Sequence, residues 1–239
     1  MNKVDSNYFN NLIKQFESIR DTVHGDRQAI IKTFSAFNKD KDARITSFSK
    51  LINVFNSLLL ALTFISKHLL RKDWWQANYS ETIPEYDLLI LVQEFESFSK
   101  MAFVQFLFSS VESSFRLFLR ALDPEACKGG TAEFISIYEC LFKSKLSACP
   151  HEGIEILELL RPVRNTIHNN GVYFHPSGRD VEVEWNGTKY RFIQGTPVDF
   201  VTWDFISSIS DSLRTLLRTV VEDLSLIAVD QEITDPFVS

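Results

Sequence analysis

The chain has 239 residues, 45% of them hydrophobic, so it is long and apolar enough to bury a substantial core. The formal net charge of −6 at pH 7 argues against a protein whose whole surface grips nucleic acid, but it is compatible with a small basic site. With 8 Gly, 7 Pro and 21 Phe, the composition favours long helices and a Phe-rich core over a turn-rich β fold.

Apolar residues recur every three to four positions through the first half of the chain, which predicts amphipathic helices. The most apolar stretch, 51–65, is short for a membrane span and contains Asn53 and Asn56, so we expect a buried helix and no membrane contact. Gly25-Asp26 is expected to break the first helical region, and Pro84 to open a new helix after a loop. The expected helices of this half are 7–23, 27–37, 43–74 and 84–122.

The second half of the chain changes its pattern twice. A helix over 132–146, capped by Thr131, is followed by a helix that begins near Glu152. After Gly171 the period becomes alternating, and Asn186-Gly187 predicts a tight hairpin between strands 181–185 and 188–193. Residues 172–175 are expected as a third strand, so that a small antiparallel sheet occupies about 172–193. Thr196 and Pro197 are expected to start a last helix that runs to about 227, before a loose acidic tail.

Several classes of site have no support in the sequence. Cys127, Cys140 and Cys149 have no metal-binding spacing and are expected as free thiols of a reducing compartment. P-loop, GxGxxG, HExxH and GxSxG patterns are missing from the sequence. The N-terminus lacks a basic-then-apolar signal pattern, so we expect a cytoplasmic protein, with neither a metal nor a cofactor.

The polar side chains that suggest chemistry are concentrated in 161–171. At helical spacing, Arg161, Arg164 and His168 lie on one stripe beside the apolar face, and Asn165 lies among them. At this half-desolvated border a guanidinium binds phosphate more strongly than it does in open water. A histidine there can transfer a proton, so these residues suit cleavage of RNA without a metal.

Each of these residues also has a purely structural interpretation. The arginines can pair with Glu155, Glu158 or Glu112, and Glu112 and Arg116 are themselves at i, i+4 spacing. Glu112 is therefore either part of a solvated salt pair or the group that orients an arginine of the central stretch. The run His168-Asn-Asn-Gly171 is typical of a helix C-terminus. Pro162 leaves open whether one helix continues through the stretch or restarts there.

The stretch Arg-Asn-x-x-His-Asn-Asn-Gly, preceded by Ser-x-x-Glu-Ser-x-x-Arg on an upstream helix, resembles HEPN-like proteins. In that family four to six residues separate an arginine from the histidine that follows it, often with asparagine directly after the arginine. Here six residues separate Arg161 from His168, and Asn165 follows Arg164. The resemblance covers about 103–226, with the hairpin as an insertion.

The resemblance implies a mainly α fold with a HEPN-like helical bundle over 84–228. It does not explain 1–80, which the apolar pattern predicts as a helical segment packed on the core, and the acidic composition of 229–239 predicts a flexible tail. The resemblance implies a metal-independent endoribonuclease of a toxin–antitoxin or anti-phage system, with Arg161, Arg164, Asn165 and His168 at the site and Glu112, Arg116 and Asn169 in support. A homodimer, RNA and a protein partner such as an antitoxin or a defence-system subunit are the expected partners. The alternative is a non-catalytic interaction or RNA-binding module that acts through a dimer or partner interface.

Overall fold

The computed structural model describes residues 6–126 and 133–238, so Cys127 and the proposed cap Thr131 lie outside the described residues. The described part is mainly helical with one small antiparallel sheet, which confirms the predicted fold class. Its elements are α1 (Ser6–Thr33), α2 (Ala43–Phe64) continued by a π-helical turn (Ile65–Leu69), α3 (Lys72–Asn78), α4 (Glu85–Leu122), α5 (Phe134–Cys140) continued by a π-helical turn (Leu141–Lys145), α6 (His151–Ile167), β1 (Val181–Trp185), β2 (Thr188–Phe192), α7 (Trp203–Val221), α8 (Leu224–Ile227) and a 3₁₀ turn (Pro236–Val238).

The N-terminal region forms one helix, so the predicted break at Gly25-Asp26 is wrong. Asp26 is buried and accepts hydrogen bonds from Arg214 Nη1 at 2.6 Å and Arg218 Nη1 at 2.7 Å, both on α7. A helical glycine costs only about 1 kcal/mol, and packing between α1 and α7 overrides that cost. The helix predicted over 43–74 instead ends at Phe64, passes through the π-helical turn and restarts at Lys72.

The longest helix, α4, is continuous for 38 residues and packs on α2, α5, α6 and α7. Its extent agrees with the predicted helix over 84–122. Phe103, Phe115 and Phe118 of α4 are buried in a hydrophobic core that also includes residues of α1, α2, α6 and α7. The predicted Phe-rich helical core is therefore present, and α4 is at its centre.

The C-terminal segment corrects the expectation of a loose tail. The Ala43 N–H donates to the Ile233 carbonyl at 2.7 Å, and the Asp235 N–H donates to the Lys41 carbonyl at 2.9 Å. Asp235 is 1% exposed and also accepts from the Thr46 hydroxyl at 2.6 Å. These bonds attach the segment to the start of α2, although its acidic composition is typical of a mobile tail.

The hairpin is confirmed, and its turn residues Asn186 and Gly187 have φ values of 49° and 69°. The expected third strand is reduced to a single bridge between Val172 and Pro197. The same pairing explains why α7 does not start at Thr196. The Thr196 carbonyl accepts from the Tyr173 N–H, so the chain stays extended here. The helix begins at Trp203, after Thr202, whose hydroxyl accepts from the Phe205 N–H.

Among the described residues, one helical stretch, Ala43–Leu69, is long and apolar enough to cross a membrane, and 44% of its most apolar window is buried. A buried core helix of a soluble protein can be equally long and apolar. This stretch packs between α1 and α4, which is consistent with a soluble protein.

Candidate functional site: an arginine-lined cleft

A cleft of about 710 Å³ lies where α4, the start of α5, α6 and the segment 173–183 meet, and we call it the arginine cleft. Pro162 lies inside α6, which is continuous, so the polar border expected on this helix is formed. The cleft is lined by Phe108, Glu112, Arg116, Glu133, Phe134, Ile135, Glu158, Arg161, Pro162, Arg164, Asn165, Tyr173, His175, Pro176, Arg179, Val181, Glu182 and Val183.

Glu112 joins two arginines from different helices. Its Oε1 accepts from Arg116 Nε at 3.2 Å, and its Oε2 accepts from Arg164 Nη1, also at 3.2 Å. The Glu112 side chain is 15% exposed, so the carboxylate at the centre of this network is largely shielded from water. Glu112 therefore contacts an arginine of the central stretch as well as its i, i+4 partner Arg116.

Arg164 is also held by an aromatic ring. Its guanidinium carbon lies 4.9 Å from the centre of the Phe108 ring, a cation–π distance. Its Nε is buried and has no hydrogen-bond acceptor among the described residues. Arg164 therefore has a fixed position in the wall of the cleft, and it shares the Glu112 carboxylate with Arg116.

Arg161, one turn earlier on α6, is half-buried and forms no ion pair with a carboxylate within residues 6–126 and 133–238. Its neighbours are tyrosines. Burial raises the pKa of the Tyr138 hydroxyl, and the adjacent Arg161 guanidinium opposes part of that rise. Burial also raises the pKa of Tyr173, against the charges of Arg179 and Arg161. Arg161 thus brings to the cleft a positive charge that the described part of the protein does not neutralise by an ion pair.

The end of α6 has a structural function. Asn169 Nδ2 donates to the Asn165 carbonyl at 2.9 Å, and the Gly171 N–H donates to the Thr166 carbonyl at 2.8 Å. Asn170 and Gly171 have φ values of 52° and 85°, the left-handed conformation of a helix cap. His168 is exposed at this end and is not among the residues that line the cleft.

The structure thus brings together Arg161, Arg164, Asn165, Glu112 and Arg116, but places His168 and Asn169 outside the lining of the cleft. The residue that sequence reasoning missed is His175, which lines the cleft beside Arg179. Its sequence signal is the turn His-Pro-Ser-Gly, in which the Gly178 N–H donates to the His175 carbonyl at 2.9 Å. A histidine at the start of a turn that follows an arginine-bearing helix is a weak signal without the tertiary structure.

Cys140 and Cys149 are free thiols, as expected, while Cys127 lies outside the described residues. Within the described ranges, no group of three His, Cys, Asp or Glu side chains is placed to hold a metal ion. Comparisons with models of protein families, with curated proteins and with solved structures found no match. The resemblance to HEPN-like proteins therefore stays a prediction, and the functional argument depends on the geometry of the cleft.

Proposed function

We propose that the protein binds RNA in the arginine cleft and cleaves its phosphodiester bonds without a metal ion. The observation that carries this proposal is Arg161, a half-buried cation without a carboxylate partner in the described part of the chain. A guanidinium in such a place binds a phosphate in two-point geometry and gains strength from partial exclusion of water.

The reaction proposed is internal transfer at phosphorus. The 2′-oxygen forms a bond to the adjacent phosphorus, the bond from phosphorus to the 5′-oxygen breaks, and the products are a cyclic phosphate and a free 5′-hydroxyl. Arg161 faces the charge that develops on the phosphate oxygens, and Arg164 is held beside it by Glu112. A histidine supplies the proton that the leaving oxygen takes up.

The cellular setting that fits this reaction is a cytoplasmic toxin or anti-phage component. A homodimer and a protein partner that controls the nuclease complete the proposal. These elements follow from the resemblance of Arg161–His168 and of the Glu112–Arg116 segment to HEPN-like proteins.

The test compares purified wild-type protein and Arg161→Gln on mixed RNA in EDTA. Wild-type protein should cleave, and Arg161→Gln should lose about 10²-fold or more in rate, as expected for removal of a group that stabilises developing charge. Arg71→Gln is the matched control, because Arg71 is an exposed arginine paired with Asp73 away from the cleft. Failure of the wild-type protein to bind or cleave any RNA would overturn the proposal.

A second candidate function is a non-catalytic interaction module, and an apolar groove between α2 and α4 favours it. The groove is lined by Leu58, Ala61, Phe95 and Phe103, and the large side chains of Phe98 and Phe106 at its edge are 64% and 63% exposed. Contiguous exposed apolar surface of this kind is typical of contact sites. Sedimentation of the wild-type protein should then show a dimer, and the double variant Phe98→Ser/Phe106→Ser should be a monomer. The wild-type protein should leave RNA uncleaved.

A further inference from the structure

We propose that His175 is the general acid of the arginine cleft, so that one chain supplies both the phosphate-binding arginine and the proton donor. This inference depends on the nuclease function proposed above. It differs from the sequence interpretation, which placed the proton-transfer step on His168. The reason is position, since His175 lines the cleft together with Arg161 and His168 does not.

His175 is fixed in place by contacts on both sides of its backbone. Its N–H donates to Gln194 Oε1 at 2.8 Å, and its carbonyl accepts from the Gly178 N–H at 2.9 Å. Tyr173, two residues earlier, is 1% exposed and anchors the segment in the core. Gly178 has a φ of 69°, which suits a glycine and closes the turn. The imidazole is thus presented by a constrained turn.

The contacts of the ring assign different roles to its two nitrogens. Nδ1 accepts from the Ser177 N–H at 3.1 Å and lies 2.7 Å from the Ser177 hydroxyl. A hydroxyl both donates and accepts, so the Ser177 hydroxyl can bond Nδ1 whether or not that nitrogen carries a proton, whereas the Ser177 N–H bonds Nδ1 only when that nitrogen carries none. Nε2 has no hydrogen-bond partner among the described residues, which leaves it as the atom that exchanges a proton with substrate.

The proposed step balances without a redox partner. The 2′-oxygen bonds to phosphorus and releases its proton to solvent water. As the bond from phosphorus to the 5′-oxygen breaks, the proton on Nε2 of the His175 imidazolium moves to that oxygen. The ring is left neutral with its remaining proton on Nδ1, which donates to the Ser177 hydroxyl in place of accepting from the Ser177 N–H. Arg161 faces the phosphate oxygens during this change.

The variant that tests the proposal is His175→Asn. An asparagine side-chain oxygen accepts from the backbone N–H two residues later, so it replaces the bond from Ser177 and preserves the turn. The variant lacks a group that can donate a proton as an acid. Its melting temperature should stay close to that of wild-type protein, and His168→Asn is the matched control on the end of α6.

Two dinucleotide substrates separate proton donation from positioning, one with the natural 5′-oxygen and one with sulfur in its place. A thiolate leaves without protonation, so it needs no general acid. We expect His175→Asn to lose about 10²- to 10⁴-fold in rate on the oxygen substrate and to retain the wild-type rate on the sulfur substrate. His168→Asn should cleave both substrates as wild-type protein does.

Each other result contradicts either the assignment of His175 or the proposed function. If wild-type protein cleaves RNA and His175→Asn cleaves the oxygen substrate equally fast, the assignment of His175 is wrong while the proposed function stands. Equal losses on both substrates would also overturn the assignment, because they indicate that His175 positions the substrate. Wild-type protein without any cleavage overturns the proposed function and the inference with it.

Discussion

Arg44 and Arg161 show two opposite uses of the same residue. Arg44 is fully buried, and its guanidinium donates to both oxygens of Asp42 and to the carbonyls of Leu226, Val229 and Gln231. Arg161 is half-buried in an open cleft and forms no ion pair within the described residues. The first arginine joins the start of α2 to the C-terminal segment, and the second faces a space that a ligand can enter.

The difference between them lies in how completely the donors are satisfied. A guanidinium whose N–H donors are bonded inside the protein has few free donors for a ligand. Breaking those bonds leaves buried groups unpaired. A partly desolvated guanidinium without such bonds is available to phosphate. Arg164 is intermediate, because it shares Glu112 with Arg116 but still lines the cleft.

The largest expected effect on stability comes from Arg44→Met. The substitution keeps the length of the side chain but leaves Asp42 as a buried carboxylate without its partner, which should cost about 3–5 kcal/mol in the free energy of unfolding. Urea unfolding measures this loss. Arg161→Met is the matched comparison and should change stability by less than about 1 kcal/mol. Equal losses in the two variants would show that Arg161 is also structural.

The stability of the fold should depend on pH through Asp235, which attaches the C-terminal segment to α2. Burial alone would raise the pKa of Asp235, but hydrogen bonds from Lys50 and Thr46 outweigh it and lower the pKa. The carboxylate therefore stabilises the fold above the unfolded pKa of about 3.9, and this contribution is lost as the pH falls through the folded pKa. Thermal unfolding between pH 7 and pH 3 should show a flatter profile for Asp235→Asn. A profile as steep as that of wild-type protein would contradict the prediction, and exposed Asp230→Asn is the charge-matched control.

The variant Glu112→Gln tests Arg164, which is intermediate between Arg44 and Arg161. Removal of the shared carboxylate should cost about 1–3 kcal/mol of stability, since both arginines lose a charged acceptor. The cleft also becomes more positive, so binding of a polyanion such as heparin should become tighter and more salt-dependent. Fluorescence anisotropy across a salt series measures this. Weaker polyanion binding in the variant would mean that orientation of Arg164 by Glu112 matters more than the added charge.

The sequence predicted the elements whose signals are local. The apolar stripe of α4 and the Asn186-Gly187 turn depend on residues a few positions apart, and both are present as expected. The break at Gly25 was wrong because Asp26 binds arginines that are 188 and 192 residues away in sequence. No local sequence pattern indicates such a contact, so the sequence alone provided no reason to continue the helix through the glycine.

The difference between local and long-range contacts also explains which residues of the cleft were predicted and which one was missed. Arg161, Arg164 and Asn165 were found because one helix places them on one border, and Glu112 because it lies on the preceding long helix. His175 was missed because long-range pairing brings its segment to the cleft. The Val198 N–H donates to the Gly171 carbonyl, and the Gly195 N–H donates to the Tyr173 carbonyl. Those bonds join two segments of the chain whose contact cannot be read from the periodicity of either one.

The smallest expected change in stability comes from a variant at the end of α6, which tests whether this end is separate from the cleft. Asn169→Ala removes the bond from Asn169 Nδ2 to the Asn165 carbonyl, which lies at an exposed helix end and should be worth about 0.5–1 kcal/mol. RNA cleavage should not change, because Asn169 is outside the lining of the cleft. Thermal unfolding and the cleavage rate of the same preparation test both statements. A variant that keeps its stability but loses cleavage would show that the site extends to the end of α6, and would return His168 to the reaction.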